Sequence, residues 1–170
     1  MENSAGGMYR IEMLGRLQVR QDGRAVITRF ATQKAAALLA YLAYHGSGMH
    51  PREVLGEMLW PGSNRAAARD RLSTALSSLR HQLEPPGGMP AGSVIRADRF
   101  SVGLNPQAIR TDVAEFEAAI TTVSQVSSAT ERAQVLERAV ALYSGPLLPG
   151  FYEEWITGCL LYTSPSPRDS

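Results

Sequence analysis

Between Ser63-Asn64 and Pro85-Pro86-Gly87-Gly88 runs the segment that most restricts what this chain can become. Ala68, Leu72, Ala75, Leu76, Leu79 and Leu83 recur at helical spacing and fall within about 60° of one line on the helix surface. Asp70, Ser73, Thr74, Ser77, Ser78, Arg80 and His81 cover the other face. Ser63 or Asn64 can cap the start, and the prolines stop the helix near Glu84. A helix with one narrow apolar line packs by that line alone. Its polar face, short hydroxyls flanked by Arg65, Arg69, Arg71 and Arg80, suits close approach to another surface.

The elements around this helix follow from changes in hydrophobic period. Tyr9–Leu14 and Leu17–Arg20 alternate in polarity across a turn at Gly15-Arg16, and Gln21-Asp22-Gly23-Arg24 is a second turn before Ala25–Ile27. A small antiparallel sheet is therefore expected first. From Gln33 the period lengthens, and Ala35, Leu38, Leu39 and Leu42 predict a helix ending near His45-Gly46. Pro51 fits the first position of a second helix with Val54, Leu55, Met58 and Leu59 inward, closed by Trp60-Pro61-Gly62. Beyond the long helix, Val94–Arg96 and Phe100–Leu104 predict a hairpin turning at Ala97-Asp98-Arg99, ended by Asn105-Pro106. Trp60 and Phe100 are expected in the core, with a role as stacking platforms the alternative.

Thr111 or Asp112 opens the next helix, and Asp112 with Glu115 three residues on is a capping-box-like start, with Val113, Phe116 and Ile120 on one helical face. A polar stretch, Thr121–Ser128, precedes a helix over Thr130–Tyr143 whose apolar stripe is Ala133, Leu136, Val140 and Tyr143. Gly145-Pro146 breaks it, and Tyr152–Trp155 begins one more. The fold class is thus α+β: a winged helix-turn-helix with a small N-terminal antiparallel sheet and a C-terminal wing hairpin, followed by an α-helical fragment. Residues 1–7 read as a disordered arm, 8–106 as the winged-helix domain and 111–158 as the first helices of a second, incomplete domain. The stretch 159–170, CLLYTSPSPRDS, continues no periodicity and resembles the stray tail that adapter read-through leaves on gene sequences. On that reading the natural protein continues past Gly158.

Charge divides the chain in the same place. From Met8 to Arg110 there are 14 Lys and Arg against 7 Asp and Glu; from Thr111 to Gly158 there are 2 against 7. A basic first part beside an acidic second part points the first toward a polyanion. Other classes find no support. No apolar run is long enough to span a bilayer, so no membrane association is expected. The one cysteine, Cys159, can form no internal disulfide, which fits a cytoplasmic protein. His45, His50 and His81 are too scattered in sequence for a metal site. Neither a nucleophile elbow nor a phosphate-binding loop occurs, so no catalytic residue, metal or cofactor is assigned and the chain is not read as an enzyme.

The motifs Lys34-Ala35-Ala36-Ala37-Leu38-Leu39-Ala40-Tyr41-Leu42, Leu59-Trp60-Pro61 and Leu72-Ser73-Thr74-Ala75-Leu76-Ser77-Ser78-Leu79-Arg80 resemble the OmpR-type winged helix of the Streptomyces antibiotic regulatory protein family. Val102-Gly103-Leu104-Asn105-Pro106 and Asp112-Val113-Ala114-Glu115-Phe116 are similar to the wing's end and the start of that family's bacterial transcriptional activator domain, an array of tetratricopeptide-like helices. The resemblance implies a transcriptional activator that binds direct repeats in double-stranded DNA as a homodimer or tandem pair and works with RNA polymerase or another regulator subunit. It places Asp70, Thr74 and Ser78 where base edges are read, Ser73 and Ser77 on the same DNA-binding surface and Arg80 on a phosphate, although Ser77 and Ser78 stand where the family often has arginine. Arg65 and Arg69, at the helix start, favour a phosphate on physical grounds as well. Arg99 is the wing residue. Surface ion pairs of Arg65 and Arg69 with Asp70 or Glu57, and of Arg99 with Asp98, are the plainer alternative. A winged helix serving as an interaction or dimerisation module is the alternative function.

Overall fold

The computed structural model describes residues 8–46, 48–88, 90–143 and 145–148. The expected arm at 1–7, the helix start at Tyr152–Trp155 and the tail at 159–170 lie outside the described residues. In order, the elements are strands β1 (Tyr9–Glu12), β2 (Gln18–Gln21) and β3 (Arg24–Ile27), helix α1 (Gln33–Tyr44), strand β4 (His50–Pro51), helices α2 (Arg52–Leu59) and α3 (Arg65–Leu83), strands β5 (Ile95–Ala97), β6 (Ser101–Leu104) and β7 (Ile109–Thr111), and helices α4 (Asp112–Gln125) and α5 (Ala129–Leu142). One sheet has the order β3-β2-β1-β7 and the other β4-β6-β5. Among the described residues, one compact unit is built from 8–10 and 18–110 and a second from 11–17 and 111–148.

In the first unit, β2 and β3 are joined by Asp22-Gly23, with Gln21 opposite Arg24. Both turn residues have positive φ, 55° and 80°, as a two-residue hairpin link requires. Thr32 caps α1 by accepting from the Ala35 amide at 3.0 Å, and Asn64 caps α3 by accepting from Ala67 at 2.8 Å. Leu38, Leu39 and Leu42 of α1, Leu55 and Leu59 of α2, and Leu72, Leu79 and Leu83 of α3 are essentially fully buried. The whole line expected for α3 is inside. Val54 is not: it is 49% exposed, because α2 is only eight residues long and turns Leu55, Gly56 and Leu59 inward instead. Pro51 is the N-cap of α2 rather than its first residue, since its ψ of 137° is extended.

Two strands escape the sequence pattern. β4 is a two-residue strand paired with β6, His50 opposite Val102, too short to show alternation. Its approach demands Gly103, where a Cβ would collide with the Gly48 carbonyl oxygen and lie 2.9 Å from the Met49 sulfur. β7 occupies the loop expected before α4.

In the second unit, Thr111 rather than Asp112 caps α4, its hydroxyl accepting from the Ala114 amide at 3.0 Å. Asp112 is buried and its carboxylate accepts from the Met13 amide at 2.9 and 3.0 Å and from Leu14 at 2.9 Å. Of the two openings the sequence offers, Thr111 is the cap; the Asp112 capping box does not form, because amides about a hundred residues away in sequence take its carboxylate. The stripe expected on α5 is also corrected. Val135 and Ala139 are buried, whereas Leu136, Val140 and Tyr143 are 42%, 70% and 43% exposed and Ala133 faces out. The helix carries a second apolar line, of which the Tyr143 ring lies 5.8 Å from that of Phe116 in α4.

Candidate nucleic-acid interface

Helices α2 and α3 meet at the loop Trp60–Asn64, and a close approach holds them. A Cβ on Gly56 would sit 3.2 Å from that of Ala68. Arg71 reaches back to donate to the Ser63 hydroxyl at 2.6 Å, tying the loop to the first turns of α3. The outer face of α3 then carries two rows at helical spacing. Arg65, Arg69 and Ser73 form one; Asp70, Thr74 and Ser77 form the next, with Ser78 half-buried at its edge. All but Ser78 are exposed. The Thr74 hydroxyl donates to the Asp70 carbonyl at 3.1 Å, which keeps its oxygen turned along the helix.

Arg65 lies 3.6 Å from Glu53, with both side chains at least 70% exposed. A pair so open to solvent contributes little and exchanges readily for a phosphate. Arg80 is placed differently. Its guanidinium donates to Glu84 at 2.8 Å, and Glu84 is 8% exposed. The same carboxylate accepts from the amides of Gly92, Val94 and Ile95 at 3.1, 2.8 and 2.7 Å. Burial pushes the Glu84 pKa up, but the Ile95, Val94 and Gly92 amides and then Arg80 outweigh it and hold the acid below its usual range. This carboxylate therefore fastens the end of α3 to the start of β5. Sequence reading missed it because the residues that need it lie across a loop.

The β5–β6 hairpin turns at Asp98-Arg99-Phe100. Asp98 Oδ1 accepts from the amides of Phe100 and Ser101 at 2.8 and 2.7 Å, and these bonds, Phe100 first, draw its pKa down, with a lesser contribution from Arg52. The expected alternative, an Asp98–Arg99 pair, is thus met by a carboxylate already engaged with backbone. Arg52 holds the turn from below: its Nε donates to the Asp98 carbonyl at 2.9 Å and its amide to the Phe100 carbonyl at 2.8 Å. The expectation of a core Phe100 is corrected. Because Asp98 captures its amide, β6 begins one residue later and the ring is 72% exposed. Trp60 is half-buried rather than core.

These parts enclose one open groove of about 860 Å³. Of the residues singled out from sequence it brings together Arg65, Arg69 and Ser73 of α3 with Arg99 of the hairpin. Asp70, Thr74, Ser77, Ser78 and Arg80 lie on α3 outside its lining. Arg52 and Val54, not assigned to a site from sequence, also line it, as do Trp60 and Phe100, the two expected in the core. Elsewhere, His45 and His50 are not scattered: their ring centroids are 5.9 Å apart, with Tyr41 4.4 and 5.2 Å from the two. Burial lowers both histidine pKa values, and the charge of His50 lowers that of His45 further. Among the described residues no group of three His, Cys, Asp or Glu could hold a metal ion, and no helix is long and apolar enough to cross a membrane.

No family model matches the chain, and no curated protein matches it either. Among solved structures, Mycobacterium tuberculosis EmbR in complex with a low-affinity phosphopeptide is similar over 91% of this chain, at 22% identity and a TM-score of 0.75. The chain spans 41% of the length of that structure. The mixed α/β architecture, with an N-terminal sheet and five helices among the described residues, is an EmbR-like winged-helix fold.

Proposed function

We propose that the chain is a sequence-specific DNA-binding transcriptional regulator of the Streptomyces antibiotic regulatory protein type, an activator that lays α3 in the major groove. The observation that carries this reading is the shared groove of Arg65, Arg69, Ser73 and Arg99, in which the outer row of a long helix and the tip of a hairpin face the same space. A DNA backbone strand fits between two such elements when one occupies the major groove and the other acts as a wing on the adjacent backbone or minor groove. Arg65 and Arg69 meet phosphates, aided by the α3 N-terminus. Asp70, Ser73, Thr74, Ser77 and Ser78 face base edges, where hydroxyls and a carboxylate select without closing off the groove. Arg80, held by Glu84, sets a phosphate register near the helix end. Unit two, with α4 and α5 as the first tetratricopeptide-like pair, contacts RNA polymerase or another regulator subunit, and a homodimer or tandem pair is the binding form. A cytoplasmic location fits this role.

The second reading, a winged-helix interaction or dimerisation module, is favoured by the apolar Val54, Trp60 and Phe100 in the same groove. Anisotropy titration of the full chain with random-sequence and GC-rich duplexes separates the two. The DNA reading expects affinity to fall by about a hundredfold between about 50 and 200 mM salt, through counterion release, and to fall further with Arg69→Ala. A folded chain that binds neither duplex at low salt supports the interaction module.

A further inference from the structure

Phe100 is the most exposed of the large apolar side chains described in the first unit, at 72%. Leaving a phenylalanine in water forgoes about 2 kcal/mol of burial. Yet nothing about its backbone is loose. Its amide donates to Asp98 Oδ1 and its carbonyl accepts from the Arg52 amide, while Asp98 closes the turn by donating to the Ser101 carbonyl at 2.9 Å. The Asp98 carboxylate is turned onto two amides, so the side chains left to face outward at the tip are Arg99 and Phe100. A rigid three-residue tip presenting an apolar ring beside a guanidinium is organised before any partner arrives.

Charge decides between partners. The groove that Phe100 edges is lined by Arg52, Arg65, Arg69 and Arg99 against Glu53 and Glu57, an excess that suits a polyanion. A narrow minor groove concentrates negative potential and draws in guanidinium groups. Apolar side chains wedge against base steps there and part them.

We propose that Phe100 is a minor-groove wedge acting with Arg99: the guanidinium enters the groove and the ring lodges against the step beneath the tip. Affinity then depends on how easily that step deforms, which gives selectivity for flexible pyrimidine–purine steps at a position no polar group reads. This rests on the DNA-binding reading above.

The test begins with the full chain selecting bound duplexes from a random pool. The selected duplex is then titrated with wild type, Phe100→Ala, Phe100→Leu and Arg99→Ala. Phe100→Ala is expected to weaken binding about tenfold with an unchanged salt slope, and to lose the preference for a flexible step in a repeated selection. Phe100→Leu keeps most of both. Arg99→Ala lowers the salt slope by about one. Steep, salt-dependent binding that Phe100→Ala leaves untouched in affinity and in selected sequence overturns the wedge while the DNA reading stands. Absence of DNA binding by the wild-type chain overturns both.

Discussion

Helices α3 and α5 both carry more than one recognisable face, yet they use them differently. In α3 every apolar residue of the leucine line is buried, and what remains outside is mainly hydroxyl and charge, with Ala66 in the first turn. In α5 one apolar line, Val135 and Ala139, packs inward while a second, Leu136, Val140 and Tyr143, stays exposed. Periodicity says which residues can share a face. It decides burial only where a helix has a single apolar face to offer. The polar remainder of α3 suits a hydrated, charged partner, and the apolar remainder of α5 suits protein.

Truncating the α3 line should cost most. Leu79→Ala is expected to lower stability by about 3 kcal/mol in urea unfolding, through lost burial and the cavity left behind. A loss under about 1 kcal/mol would show that the line is not the core. Glu84→Ala should follow closely, at about 2–3 kcal/mol, because three amides and a guanidinium lose a buried acceptor. Its pH dependence has a definite sign. The folded pKa lies below the usual 4.5, so its contribution is present above that value and lost as pH falls through the lowered one. Glu84→Gln should flatten that acid limb.

Removing the α3 cap with Asn64→Ala should cost about 1 kcal/mol, read as a shift in the urea midpoint. A smaller effect belongs to the histidine pair. Both pKa values are lowered from 6.5, so the neutral rings favour the fold. Stability should hold above pH 6.5 and decline as pH falls below it, and His50→Gln should remove part of that slope in a series of thermal melts. Val140→Ser should do least, within about 0.5 kcal/mol, since the side chain is 70% exposed. A larger loss there would mean that the second α5 line is covered, and the contrast with α3 would vanish.

Much of this architecture was legible because its signals are local. Asn64, the leucine spacing and Pro85 delimit α3 within its own twenty or so residues. Asp22-Gly23 announces its hairpin through positive φ. What escaped depends on distant partners. Asp112 looks like a capping residue until the amides of Met13 and Leu14 are brought to it, and Glu84 looks like a helix end until Val94 and Ile95 arrive. Strand β4 exists only because β6 lies beside it. At the site, Arg65, Arg69 and Ser73 could be placed on one face from sequence, but not their sharing of a groove with Arg99. The exposure of Phe100 was hidden by its parity with Val102 and Leu104, and one aspartate at the turn reverses it.

The most direct test of the central claim is amide chemical-shift mapping of the full chain as duplex DNA is added. The account predicts perturbations along α3 from Arg65 to Ser78 and at Asp98–Phe100, with α5 unmoved. Shifts concentrated on Leu136, Val140 and Tyr143, or none on α3 at saturating DNA, would contradict it.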